Sequence, residues 1–345
     1  MEPGTPAHAT RNGTPPLPKE LQVEVTGACN LACRMCLVSY RPKLGKAQGA
    51  MSFELFKEVV DELPELEKLT VQGLGEPLLA PDLFRMVEYV AARGVRVGFN
   101  TNGTLLTEER AERLVHAGLD WLHVSLDGAT PETYERIRRG SSFATVERNV
   151  RGLVHVLRRL RAERPVLSLV FVAMRRNLCE LPDLVRLAAE WEVGRLFVQN
   201  LSHSFDDTDP SGAYSGIRDY ALEEALWGDD DHAEAEAVFA EARAVAGELG
   251  VELRLPRLAE PPRRPREPGA PGCHWPFESA YLAHDGQVQP CCMVMGSDRA
   301  VLGDAGEQRF SSVWAGGAYR DFREGLLGDE PPAVCQGCSL YRGVF

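Results

Sequence analysis

The chain is predicted to fold as a parallel α/β protein of six strand–helix units, followed by a smaller C-terminal region with a β-hairpin. Three observations carry that prediction. Short runs rich in β-branched residues, apolar on both faces, alternate with longer amphipathic stretches from Leu21 to about Leu255. Two of those stretches, "PDLFRMVEYVAARG" and "TEERAERLVHAG", end in Gly, the residue that most easily takes the left-handed turn after a helix. Polar or Gly-rich signals then follow one strand after another, on the edge where parallel α/β folds place their reactive groups.

In order, residues 1–20 hold Pro, Gly and Thr without an apolar run. They read as a disordered lead and not as a signal peptide. The strands are "LQVEVTG", "KLTVQG", "VRVGFNT", "WLHVSLDG", "VLSLVFVA" and "RLFVQNL". The helices "SFELFKEVVDELPEL" and the two Gly-terminated stretches follow the first three strands, and "LPDLVRLAAEWEVG" precedes the sixth. Six such units make an open doubly wound sheet or a barrel, complete or partial, and spacing leaves that choice open. Residues 202–235 break the pattern: acidic and weakly periodic, they form an insertion that is either solvated surface or a lid over the reactive rim. A helix from Ala235 to Leu249 and the strand "VELRL" close the domain at 255. Residues 256–272 are a Pro- and Arg-rich linker, and 273–345 read as a separate small domain.

A formal net charge of −12 argues against general binding to nucleic acid or anionic membranes, which needs clustered Lys and Arg. The longest apolar run, about Leu169 to Met174, is far below a membrane span. Nine cysteines without a secretory signal favour metal or redox chemistry over a disulfide framework, and the expected compartment is the cytoplasm.

Three of those cysteines, Cys29, Cys33 and Cys36, sit in "TGACNLACRMCLVS" straight after the first strand. A 4Fe–4S cube has four corners wanting soft thiolate ligands. Three cysteines on one loop can hold three corners and leave one iron open. Structural zinc, using a pair and a distant ligand, is the competing reading.

With "GLGEP" after the second strand and "SLDG" after the fourth, this spacing resembles the radical S-adenosylmethionine (radical SAM) superfamily over most of residues 21–255. The resemblance implies a partial (β/α)6 TIM-like barrel. It also implies that the open iron is chelated by S-adenosyl-L-methionine, which one electron cleaves to a 5′-deoxyadenosyl radical that abstracts hydrogen from the substrate. By position, Gly73, Gly75, Glu76 and Pro77 resemble the motif that holds the methionine amino group. Ser125 and Asp127 correspond to contacts near the ribose. Arg138 corresponds to an arginine that pairs with the methionine carboxylate, with Arg136 and Arg139 as rivals. Met35, before the third cysteine, packs near adenine in this reading. Asn102 is a rim contact or, equally, a turn asparagine.

A second set comprises Cys273, Cys291, Cys335 and Cys338, with an Asp285-Gly286 turn between the first two. Four thiolates suit a fully ligated 4Fe–4S cluster or structural zinc. Beside the barrel, the segment resembles the SPASM extension, and more narrowly its shortened twitch form with one auxiliary cluster, because only seven residues follow Cys338. Cys292 is expected to face the core of the small domain, with substitute ligation as the alternative. Cys179, after the fifth strand, is a candidate hydrogen donor, against a plain reading as a buried small apolar residue. His203 and His274 are the candidates for a general base.

The resemblance carries a functional expectation: oxidation of a small polar metabolite (sugar, cyclitol or nucleoside-like) in a natural-product pathway, with the auxiliary cluster accepting an electron. Epimerisation, decarboxylation, other radical rearrangement, or modification of a ribosomally made peptide are the alternatives. No leader-binding domain is expected before Leu21. A pure electron-transfer protein would not need the GLGEP and SLDG signals. The partners implied are the substrate and a one-electron reductant such as flavodoxin or ferredoxin.

Overall fold

Apolar strands that bury both faces need cover on each side, and the amphipathic helices between them supply it on one. The computed structural model describes residues 15–40, 49–201, 214–226, 229–258, 272–294, 296–328, 330–338 and 341. Seven parallel strands lie side by side in chain order: β1 (Glu20–Val23), β2 (Lys68–Val71), β3 (Arg96–Thr101), β4 (Trp121–Ser125), β5 (Val166–Ala173), β6 (Arg195–Asn200) and β7 (Glu252–Arg254). On the other side of β1 comes β8 (Ser279–Leu282), parallel to it. Then come β9 (Gln287–Gln289) and β10 (Gly303–Asp304), each antiparallel to its predecessor. β7 and β10 end the order and do not pair with each other, so the barrel is partial.

The helices between strands are α1 (Phe53–Asp61), α2 (Leu83–Ala91), α3 (Glu108–His116), α4 (Pro131–Ile137), α5 (Phe143–Leu160), α6 (Leu181–Glu190), α7 (Ser215–Glu224) and α8 (Asp229–Leu249). Ser52, Thr107, Thr130 and Ser142 each cap a helix by accepting the backbone N–H three residues on. Gly94 and Gly118 close α2 and α3 at φ +77° and +82°, as the sequence leads one to expect. The main core lies between sheet and helices, where Leu69, Phe99, Leu122 and Phe171 meet Met86, Leu114 and Leu153.

Inside the barrel, Trp121 fills the space above Gly98, where a β-carbon would lie 2.1 Å from the indole. His123 lies tilted against Trp121, ring centroids 4.5 Å apart, and meets Phe197 edge-on. Burial, with Arg254 nearby, drives the His123 pKa down to about 4, so it stays neutral as part of this floor. The carboxyl ends of the strands above it carry polar side chains.

The remaining helices are α9 (Trp275–Glu278), α10 (Phe310–Trp314), α11 (Gly317–Leu327) and α12 (Ala333–Gln336). The buried Arg323 joins three of them. It donates to the Pro276 and Trp314 carbonyls at 2.8 Å and lies over the Trp314 and Tyr319 rings.

Several boundaries differ from expectation. The C-terminal region shares the barrel's sheet, because β8 extends it along β1. Residues 15–20 of the expected disordered lead are placed: the Trp314 indole donates to the Pro16 carbonyl at 3.0 Å, Leu17 packs on the core, and β1 begins at Glu20. In the insertion, α7 buries Ile217, Tyr220 and Ala221 on one face, and α8 starts at Asp229, not Ala235. In its first turn Asp231 binds Arg175 through both oxygens. His203, residues 202–213 and residues 259–271 of the linker lie outside the described residues. No described helix is long and apolar enough to cross a membrane.

Candidate active site

The cysteine loop after β1 is held by backbone on two sides. Ala32 N–H donates to the Arg139 carbonyl at 2.9 Å and Arg34 N–H to the Ile137 carbonyl at 3.1 Å. On the other side Glu76 N–H donates to the Ala28 carbonyl at 2.9 Å. Gly75 makes that approach possible: a β-carbon there would sit 1.9 Å from the Thr26 carbonyl oxygen. Asn102 ties in the third strand end, donating to Asn30 Oδ1 at 2.9 Å while its own Oδ1 accepts from Thr104 N–H. It is therefore both a turn asparagine and a rim residue.

Cys29, Cys33, Met35, Cys36, Gly73, Gly75, Glu76, Asn102, Ser125 and Arg138 all line one cavity of about 390 Å³. That size is ordinary for a small-molecule site. Arg136 and Arg139 are exposed, which leaves Arg138 as the arginine of that segment inside the cavity. Its Nε donates to Asp127 Oδ2 at 2.6 Å, and Nη1 lies 3.9 Å from Cys33 Sγ. Burial opposes the guanidinium charge, but Asp127 outweighs it and raises the pKa.

Asp127 itself is not a cavity residue. It is fully buried, its other oxygen accepting Val172 N–H at 2.8 Å, and it positions Arg138. Pro77 likewise lies beneath the rim at the start of the short helix Pro77–Leu79. The Glu76 carboxylate accepts from Thr101 Oγ1, Asn102 N–H and Leu78 N–H. Burial nevertheless pushes its pKa up. Its carboxylate thus ties its own turn to the end of β3, and its backbone N–H ties that turn to the cysteine loop.

Cys179 is exposed, in the single turn Leu178–Glu180, and does not line the cavity. Neither the hydrogen-donor role nor the buried one fits it. His274 is exposed at the start of α9. Cys292, expected in the small domain's core, lines the barrel cavity instead, together with Met293. The residue before it, Cys291, faces a second, small apolar cavity that Cys273, Cys335 and Cys338 also line. Met293 borders both cavities.

The donor sets fit iron–sulfur clusters. Each is made of soft sulfur atoms spread around a space, and among the described residues no three His, Cys, Asp or Glu side chains converge as a single metal ion requires. Burial pushes the Cys36 and Cys292 thiols up to about 12 and raises those of Cys29, Cys33, Cys273 and Cys291. Metal binding at either set therefore releases protons.

Sequence reasoning missed the cavity's neutral polar lining: Gln22, Gln72, Asn100, Gln199, Asn200 and Tyr281. Its signal was present as polar residues at the ends of otherwise apolar strands. Ile217 and Ala221 of α7 complete one wall.

Comparison with known proteins agrees with the geometry. Residues 23–188 match the Radical SAM superfamily, and residues 273–339 match SPASM, an iron–sulfur cluster-binding domain. A tungsten-containing aldehyde ferredoxin oxidoreductase cofactor-modifying protein of Pyrococcus furiosus is 32% identical over 53% of this chain and 51% of its own length. This chain thus spans about half of that relative. An AdoMet-dependent heme synthase of Methanosarcina barkeri is 29% identical over 93% of this chain and 91% of its own. In fold, Streptococcus suis SuiB bound to S-adenosylmethionine superposes with a TM-score of 0.67 at 14% identity, covering 92% of this chain and 77% of that one. Residues 23–188 accordingly belong to the radical SAM superfamily and residues 273–339 form a SPASM domain, a pair of domains that implies 4Fe–4S clusters and S-adenosylmethionine as cofactors, carried on a partial TIM-like barrel.

Proposed function

We propose that this enzyme oxidises a small, neutral, hydroxyl-bearing metabolite, and that the C-terminal cysteines hold a single auxiliary cluster serving as electron acceptor. The observation that carries this reading is the contact between the two cysteine sites: one side chain, Met293, borders both cavities. When bound, the first cluster with S-adenosylmethionine supplies a 5′-deoxyadenosyl radical, and the auxiliary cluster an electron acceptor. The protein's part is to seat the substrate and keep water out.

The lining supports the substrate class. Among the described residues, Asn100 Oδ1 and Asn200 Oδ1 are buried without a hydrogen-bond partner. A buried acceptor left unpaired costs free energy, so both favour a ligand that brings O–H or N–H donors. The charged residues of the described lining, Arg138 and Glu76, are engaged within the protein. A polyanionic substrate would meet few available cations.

A tetrapyrrole substrate is the second reading, favoured by the alignment with the heme synthase over nine-tenths of the chain. Its carboxylates match this lining less well. We infer a flavodoxin or ferredoxin as electron donor.

The test uses anaerobically reconstituted protein, expected to hold about eight iron atoms per chain as two four-iron clusters. With S-adenosylmethionine and reductant, a cyclitol and sugar panel should raise 5′-deoxyadenosine release and yield a two-electron-oxidised product. Replacing Cys335 and Cys338 with Ala should spare release and stop product formation. Stimulation by tetrapyrrole carboxylic acids alone would establish the second reading, and stimulation by peptides alone would remove both.

A further inference from the structure

Tyr281 on β8 stands in register with Gln22 on β1, and both side chains line the cavity. Two residues after Gln22, on the same face of the chain, lies Glu24. One of its oxygens, Oε2, accepts the Tyr281 hydroxyl at 3.0 Å and Leu74 N–H at 2.8 Å. The other, Oε1, is 2.8 Å from His284 Nδ1. Glu24 and His284 are 4% and 7% exposed. Burial opposes the Glu24 charge, yet the bonds from His284, Leu74 and Tyr281 outweigh it and hold its pKa below the usual carboxylate range. An ionised carboxylate only accepts, so His284 Nδ1–H and Tyr281 O–H are the donors.

Joining the hairpin to β1 needs no buried ion, since the backbone pairing of β8 already does that, and apolar residues of similar volume would serve at least as well. The network also has a direction. It runs from a phenol on the cavity wall to a carboxylate and an imidazole behind it. A phenol oxygen that donates one hydrogen bond keeps lone pairs with which to accept another.

We propose that Tyr281 takes the proton that the substrate loses on oxidation, passing its own proton to Glu24, which His284 holds in place. The inference rests on the oxidative reading above. After hydrogen abstraction from a carbon bearing a hydroxyl, forming the carbonyl releases one electron and the O–H proton. The electron leaves to the iron–sulfur acceptor of that reading. The proton goes to the Tyr281 oxygen while the Tyr281 O–H bond breaks toward Glu24 Oε2, so the tyrosine ends unchanged and Glu24 ends neutral. Tyr281 is the catalytic residue; Glu24 and His284 position it.

Two measurements test this. Infrared difference spectra of wild type against Glu24→Gln near neutral pH need no substrate. The proposal expects an ionised carboxylate at Glu24, and a protonated carboxyl band that vanishes in the variant overturns it. The second measurement adds the small-molecule fraction of the organism of origin and follows oxidised product per 5′-deoxyadenosine. In Tyr281→Phe and in Glu24→Gln this ratio should fall, on the order of 10²-fold for loss of a proton acceptor. A ratio that stays constant, whether or not overall turnover drops, shows a structural role and sinks the relay. Should wild type respond to the fraction with deoxyadenosine but no oxidised product, the oxidative reading fails and the relay with it, even with Glu24 ionised.

Discussion

Gly75 has a carbonyl oxygen where a β-carbon would go, at 1.9 Å from Thr26 and with a second, that of Ala28, at 2.8 Å. Both belong to the backbone leading into the cysteine loop, so neither can give way like a flexible side chain. Gly75→Ala should therefore displace that loop and lower iron content at the first site, measured as iron per chain, while the Cys335/Cys338 site keeps its metal. Asp127 makes a different kind of demand. Its carboxylate is the ionic partner of the buried Arg138 and also accepts Val172 N–H. Removing one member of a buried pair strands the other, at about 3–5 kcal/mol. Asp127→Ala should lose that much stability in chemical denaturation. Asp127→Asn retains an acceptor for Val172 and should lose less, with its defect concentrated in S-adenosylmethionine affinity.

At the scale of elements, α7 presents Ile217 and Ala221 to the cavity, one turn apart. Ala221 is 1% exposed, so an indole at that place has only the cavity to enter. Ala221→Trp should leave iron content intact and reduce substrate-dependent turnover at least 10-fold, a barrier change of about 1.4 kcal/mol. This helix was hidden in the sequence by its acidic neighbours, whereas α2 and α3 announced themselves through apolar spacing and a terminal glycine. The strand order and the cysteine, GLGEP and SLDG signals were legible because each is local: period, turn chemistry or ligand spacing. The Glu24–His284 contact joins residues 260 positions apart, and no local pattern encodes it. Asp127 shows the same limit from within a motif. Its position marks a strand end, but whether it faces the cavity or Arg138 depends on how α4 returns to the barrel. Cys292 was misplaced because neighbours in a turn face opposite ways, and only packing decides which cysteine of the pair meets which cavity.

For the molecule as a whole, the proposed proton acceptor and the cysteines of the proposed electron acceptor lie along one hairpin. β8 and β9 carry Tyr281 toward the barrel and lead into Cys291 and Cys292. The seating of the C-terminal region on the barrel therefore sets the geometry of both. Besides the β1–β8 pairing, that seating uses Glu62 at the end of α1. Its carboxylate accepts Phe310 N–H at 3.1 Å, Ser311 N–H at 3.0 Å and the Ser311 hydroxyl at 2.5 Å, with Arg309 at 3.4 Å. It thereby caps α10 from another part of the chain. Burial opposes its charge, but the Ser311 and Phe310 donors together with Arg309 outweigh that and lower its pKa. The sign follows: a carboxylate whose folded pKa is depressed stabilises the fold above its unfolded pKa and ceases to do so as pH falls through the folded value. Hydrogen bonds to a charged group contribute about 2 kcal/mol, so Glu62→Gln should lower stability by up to that amount at neutral pH. The gap from wild type, measured by denaturant unfolding, should hold from pH 8 down to about 5 and then narrow as Glu62 protonates. Hydrogen exchange in α10 should quicken in the variant at pH 7 while the protection of β3 and β4 stays as it was, because the seating loosens and the barrel does not. A gap that persists unchanged below pH 3 would mean that charge at Glu62 has no part in holding the two regions together.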